Sequence, residues 1–223
     1  MKTIKVPFLK DVQQMSLEQI SALLDETGSR LSIDQVNWKK QYPYMPFTSA
    51  YLLHDSEYIY IKWHVNGIML KGVYTEDLQP VHEDSCVEFF CKQADSDHYI
   101  NFEFNCLGTC SASLRLSKTE DVKRLSKDEL ESIKRFSTLG RRPFCEINGQ
   151  FVWSLCVAIP LSLIHVGTED LRESDVVLQG NFYKCADDTS SKHYVSWSAI
   201  NTPSPSFHEP KFFGKIVLES IGE

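Results

Sequence analysis

The chain has 223 residues, 42% of them hydrophobic, and a formal net charge of -7. That is enough apolar content to fill one sizeable core, and it leaves no basic footprint for nucleic acid or for an anionic membrane surface. No apolar run approaches the roughly 20 residues that span a bilayer, and residues 1–10 lack the apolar centre of a secretory signal. These features predict a cytoplasmic chain, or a secreted one if a leader precedes the sequence as given. They also predict a neutral or weakly charged ligand as partner, with no nucleic acid and no membrane.

Along the chain, residues 16–24 predict a short helix, with Ser16 as its cap and Leu17, Ile20, Leu23 and Leu24 on one face. Residues 38–47 are aromatic and carry Pro43 and Pro46, which predicts an extended segment packed on the strands after it. Residues 1–44 are therefore read as an N-terminal extension of a single domain covering 1–223. Residues 58–65 alternate Tyr58, Tyr60, Lys62 and His64 with Ile59, Ile61, Trp63 and Val65. They stop at Asn66-Gly67, a hairpin signal, with residues 68–74 as the return strand. A strand at 85–91 is followed by a polar turn at 94–97. Residues 99–105 set Asn101, Glu103 and Asn105 on one face against Ile100, Phe102 and Phe104 on the other. With residues 109–116 these strands predict a three-stranded meander.

Residues 117–140 break the pattern with charge, and Ser126 caps a predicted helix through Phe136, read as an insertion. Residues 142–147 and 151–159 predict a second hairpin about Asn148-Gly149, ended by Pro160. Strands at 176–185, 193–197 and 212–218 complete about ten. The expected class is all-β, an antiparallel sandwich of jelly-roll or immunoglobulin-like type with short helical insertions.

The seven cysteines, Cys86, Cys91, Cys106, Cys110, Cys145, Cys156 and Cys185, are odd in number, and several lie in apolar runs. They read as reduced core thiols. Cys106 and Cys110 have no second pair at matching spacing, so zinc is not predicted from them. Glu88 stands between Val87 and Phe89, where a carboxylate needs a specific partner. Paired with Glu103 on a neighbouring strand, it also fits the acid and base, or nucleophile, of a glycosidase.

Two stretches resemble the family 9 carbohydrate-binding modules. The first runs from Glu83 to Phe90 and through Tyr99-Ile100-Asn101-Phe102-Glu103-Phe104-Asn105 to Gly108. The second comprises Gly180-Asn181-Phe182-Tyr183-Lys184, His193-Tyr194-Val195-Ser196-Trp197, Phe207-His208-Glu209-Pro210 and Phe212-Phe213-Gly214, and is similar to the closing signature of a bacterial branch. Together they cover residues 45–219 in a consistent order. The resemblance implies non-catalytic binding of a mono- or oligosaccharide, in support of polysaccharide degradation. Such modules hold a glycan end between two aromatic rings, with polar groups on its hydroxyls.

Carried onto this sequence, Trp197 matches the late aromatic and Glu88 a hydroxyl-binding carboxylate. The early tryptophan falls at His82, leaving Trp63 or Tyr74 as a second wall. Trp197 and Trp63 are each read either as a ring against sugar or as core. Asn181 and Lys184 are implied hydroxyl ligands, and Asn105, Glu103 and Arg115 are expected on the same sheet face. The family also holds structural calcium, for which Glu83, Asp84, Asp95 and Asp97 offer oxygens. The wider superfamily includes haem-binding cytochrome domains, and Met69 with His82 or Met45 with His64 are the available axial pairs.

Overall fold

The computed structural model describes residues 1–222. Its larger sheet contains β1 (Thr3–Val6), β3 (Gln35–Val36), β6 (Cys86–Gln93), β7 (Tyr99–Asn105), β8 (Cys110–Arg115), β9 (Lys123–Arg124), β12 (Val176–Cys185), β13 (Tyr194–Ser196) and β14 (Gly214–Leu218). The smaller contains β2 (Ser29–Ser32), β4 (Phe47–His54), β5 (Tyr58–Gly72), β10 (Lys134–Ser137) and β11 (Phe144–Pro160). Pairing is antiparallel throughout, except where β1 runs parallel to β14. The chain is thus an antiparallel β-sandwich, as expected. Three short helices decorate it: α1 (Leu17–Thr27), α2 (Lys127–Ser132) and α3 (Thr168–Glu173).

The sandwich follows from alternation. On the larger sheet Phe89, Phe102 and Phe182 turn inward, with centroids of neighbouring rings 4.9 and 6.2 Å apart. Ile59, Ile61, Trp63 and Val65 of β5 and Trp153, Leu155 and Val157 of β11 meet them from the smaller sheet. Each such side chain stabilises the fold by about 1.5–3 kcal/mol through loss of apolar contact with water. Trp63 is therefore core. The helix at Ser16 forms as expected, with a reciprocal capping box between Ser16 and Gln19. It covers the outer face of the smaller sheet, packing Ile20 and Leu24 with Tyr60, Cys156 and Ala158, and Asp25 Oδ2 accepts from Lys62 Nζ at 2.6 Å.

Three sequence expectations fail for local reasons. Asn66-Gly67 and Asn148-Gly149 are not hairpin turns. β5 and β11 run straight through them and pair with each other over most of their length, from Tyr58↔Pro160 to Gly72↔Phe144. β11 advances three residues for two of β5 both between Phe144 and Ile147 and between Asn148 and Phe151. The glycine signal there marks bulges and a close approach, not chain reversal. The helix capped by Ser126 ends at Ser132, and Phe136 instead joins β10, opposite Cys156. The charged insertion thereby supplies an edge strand.

Outside the larger sheet lies a further layer. Phe90, Tyr99 and Tyr183 point away from the core and are covered by Trp38, Phe207 and Phe213 from connecting segments. Tyr183 and Phe207 stack at 4.2 Å and 11°. A strand face that would otherwise meet solvent is roofed, and the gap in that roof is where the candidate site lies.

Trp197 packs on the bare backbone of Gly214. A Cβ added there would meet Trp197 Cζ3 at 2.5 Å and the Lys2 carbonyl oxygen at 2.9 Å. Gly214→Ala is expected to destabilise the fold by about 1–3 kcal/mol through overpacking. A urea melt would show a lowered midpoint with unchanged slope, and an unchanged midpoint would contradict this packing.

Candidate functional site

The site begins with the alternation of β6. Val87 and Phe89 face the core, so Cys86, Glu88 and Phe90 face outward. In register, Tyr183 of β12, Glu88 of β6, Glu103 of β7 and Ser111 of β8 form one row across the sheet. The next row carries Asn101 opposite Ser113. Over these rows opens a cavity of about 430 Å³. Its sheet side presents Glu88, Glu103, Ser111, Ser113 and Arg115, and its loop side His82, Asp187, Tyr194, Phe207 and His208.

A chain of hydrogen bonds fixes half of this floor. Arg115 Nε donates to Asn101 Oδ1 at 2.6 Å, and Asn101 Nδ2 donates to Glu103 Oε1 at 2.9 Å. Glu103 Oε2 lies 3.7 Å from His82 Nδ1, and this carboxylate raises the imidazole's pKa above its ordinary value. His208 Nδ1 pairs with the Tyr99 hydroxyl at 2.8 Å, and burial lowers its pKa to about 4, which keeps the ring neutral.

The other half is differently satisfied. Glu88 is buried, and the groups against its carboxyl are thiols, with Cys185 Sγ at 3.1 Å and Cys86 Sγ at 3.9 Å. Burial, reinforced by Glu103 directly opposite, pushes the Glu88 pKa well up. Burial likewise raises Cys86 to about 12, and raises Cys185 and Asp187. Burial therefore disfavours the charged form of the acids in this half of the cavity, and the sulfur and oxygen atoms of Cys86, Glu88 and Cys185 lie close enough together to hold a metal.

Known proteins agree with this architecture. The sequence profile described as Carbohydrate-binding family 9 matches residues 18–218. The chain belongs to carbohydrate-binding family 9. A crystal structure of a candidate carbohydrate-binding protein from Bacteroides uniformis is similar, with 34% identity, a TM-score of 0.90, and coverage of 98% of this chain and 99% of that one. Two structures of a family 9 module from Caldicellulosiruptor kristjanssonii share the fold at a TM-score of 0.59. The complex with glucose is 14% identical, covering 98% of this chain and 96% of that one; the complex with cellotriose is 12% identical, covering 98% and 94%. No curated protein sequence matches the chain.

In this family 9 chain the cavity brings together His82, Glu88, Glu103 and Arg115 of the residues singled out in the sequence. The other four lie elsewhere. Trp197 is 4% exposed, inside the sandwich core, edge-on to Phe182 at 5.8 Å; it is a packing residue and not an open platform. Asn105 staples the β7–β8 turn, accepting from Leu107 N and Thr109 N and donating to the Tyr74 carbonyl and Asp84. Asn181 clamps Ser198 through both its amide atoms. Lys184 shares the core-facing side of its strand pair with Val87, and its ammonium donates to the Cys185 carbonyl at 2.7 Å and to His193 Nε2 at 3.0 Å.

Tyr74 bonds Glu83 and does not line the cavity. The four acids considered for calcium are split between the two ends of β6. There Asp84 Oδ2 already accepts from Val73 N, Tyr74 N and Asn105. Of the haem pairs, Met69 is buried against Ser85, Met45 is exposed, and His64 bonds Ser154. Cys106 and Cys110 are core thiols, and of the seven free cysteines only Cys145 is exposed. Sequence reading passed over Asn101, Cys185, Asp187, Tyr194 and His208 as site residues. Asn101 had a signal, because it alternates with Glu103 on the polar face.

The sign of Glu88's effect on stability is set by its raised pKa. Unfolded, it loses its proton near 4.5; folded, it keeps it to higher pH, so the folded chain binds the extra proton and stability falls as pH rises between the two values. Glu88→Gln removes that loss. With EDTA present, the variant is expected to melt several degrees above the parent at pH 8 and level with it at pH 4, at about 2–4 °C per 1 kcal/mol for a chain this size. Thermal melts at the two pH values test this; a variant that melts lower at pH 8 would refute it.

Proposed function

We propose that this chain binds the end of a mono- or oligosaccharide in the roofed cavity on the outer face of its larger sheet, without hydrolysing it. In this role it supports polysaccharide breakdown carried out by other proteins. The observation that carries the reading is the convergence of His82, Glu88, Glu103 and Arg115 on one cavity, in a chain of a carbohydrate-binding family. Sugar hydroxyls require paired donors and acceptors, and the Arg115–Asn101–Glu103 chain supplies both, held rigid before a ligand arrives. Pyranose C–H faces pack on rings, and here the rings on the cavity are His82, Tyr194, Phe207 and His208. The glucose and cellotriose held by the Caldicellulosiruptor modules set the first ligands to try.

Isothermal titration against a glycan panel that includes glucose and cellotriose is expected to give saturable binding. Glu103→Gln is expected to weaken it about 10-fold, the loss of one charge-assisted hydrogen bond worth about 1.4 kcal/mol. No binding of any sugar at millimolar concentration, or an unchanged affinity in Glu103→Gln, would overturn this assignment. One observation favours hydrolysis as a second reading: Glu88 and Glu103 are directly opposed on neighbouring strands, which puts two carboxyls side by side on one cavity, as in a glycosidase pair. Released-sugar assays on the same panel separate the two, since binding alone liberates no reducing end.

A further inference from the structure

The wall where Cys185 and Glu88 meet the cavity carries chemistry that hydroxyl binding leaves unused. Cys86 and Glu88 are two apart on β6, and Cys185 stands directly across from Cys86 on β12, so all three side chains leave the sheet on its outer face. Both sulfurs approach Glu88 Oε1, at 3.1 and 3.9 Å, and the three donor atoms lie within 4.8 Å of one another. Tetrahedral zinc with sulfur at about 2.3 Å and oxygen at about 2.1 Å has edges of roughly 3.6–3.8 Å, which these separations bracket. All three residues are buried, so the donors are held in place by the strand register and not by mobile loops.

A further carboxylate lies on the same cavity, outside the cluster of three. Asp187 comes two residues after Cys185 and lines the same cavity, and its Oδ1 is buried without a hydrogen-bond partner. The nearest buried ammonium, Lys184, is turned toward the Cys185 carbonyl and His193, and forms no bond with these acids. Three carboxyls, of Glu88, Glu103 and Asp187, and the Cys185 thiol therefore line one cavity, with the Cys86 thiol 3.9 Å from Glu88 Oε1 and the His82 ring 3.7 Å from Glu103.

We propose that Cys86, Glu88 and Cys185 bind a thiophilic divalent cation, zinc by donor chemistry, with the fourth position open to Asp187 or to a molecule in the cavity. Two sulfurs select against calcium and magnesium, which take oxygen ligands. The charge of such an ion stabilises the ionised donors that burial otherwise disfavours. This site does not depend on the sugar reading, and it stands or falls on metal binding alone.

Cobalt(II) is the probe, added to the full, tag-free chain in the presence of a non-chelating phosphine reductant. The reductant is needed because opposed thiols can also oxidise to each other. One equivalent is expected to bind, giving thiolate-to-cobalt charge-transfer absorption and the intense visible bands of tetrahedral cobalt, both abolished by one equivalent of zinc. Cys86→Ser and Cys185→Ser are expected to lose the charge-transfer bands, and Cys145→Ser, at the exposed cysteine, to keep them. Glu88→Gln, which leaves both sulfurs, is expected to weaken zinc binding at least about 10-fold. Absence of the bands in the wild-type chain overturns the proposal, as does their survival in both serine variants. If either serine variant does not fold, Glu88→Gln decides, and an unchanged zinc affinity there overturns the site.

Discussion

The site depends on the register of β6 between β7 and β12. Because side chains alternate with a period of two, that register sends Val87 and Phe89 into the core and sets Cys86, Glu88 and Phe90 on the far face in the same step. A slip of one residue would bury Glu88 among Phe102 and Phe182 and expose Phe89. The apolar half therefore fixes the polar half. The unfavourable burial of Glu88, with thiols against it, is sustained by the favourable burial of its neighbours on either side.

Those central strands were legible because one face of each is continuously apolar. β7 and β12 lie where the alternation placed them, and β6 and β8 differ by a residue or two at their ends. What misled was the glycine. An Asn-Gly pair is the residue choice of a tight hairpin, and equally of any place where a strand bulges or lets a neighbour come close. Gly67 is such a place, since a Cβ there would meet the Tyr44 hydroxyl at 2.8 Å. Local sequence cannot separate the two uses, because the difference lies in which distant strand is alongside. The edge strands β1, β2 and β3 were passed over for a related reason. At two to four residues each, they carry too few alternations to register as a period.

At the site, a charge inside an apolar run was the readable sign. Glu88 stood out for that reason, and Glu103 and Arg115 were then readable from the polar faces of the next two strands. Order along the chain is a weaker guide than face. Trp197, Asn181, Lys184 and Asn105 all occupy strands or turns of the resembling signature, yet their side chains serve the core, a loop clamp, a buried carbonyl and a turn. The loop wall, from Asp187 to His208, has little periodicity beyond the three residues of β13. Its membership is decided by how the roof segments cross the sheet, which no local pattern encodes.

With the Trp197 indole in the core, the cavity's apolar contacts fall to smaller rings, and of these Phe207 is already stacked on Tyr183. Broad stacking on an indole face rewards any pyranose, whereas a rigid carboxylate, amide and guanidinium chain rewards a particular arrangement of hydroxyls. A misplaced hydroxyl would leave a buried polar group of the Arg115–Asn101–Glu103 chain unpaired, at about 1–3 kcal/mol each. On the proposed reading, such a floor discriminates between sugars more through mismatch than through affinity. On that reading the cavity is a polar socket more than a flat aromatic clamp, and His82, at the position where the resemblance implies a tryptophan, is part of it. Its imidazole contributes a ring edge and, through Glu103, one more member of the polar chain.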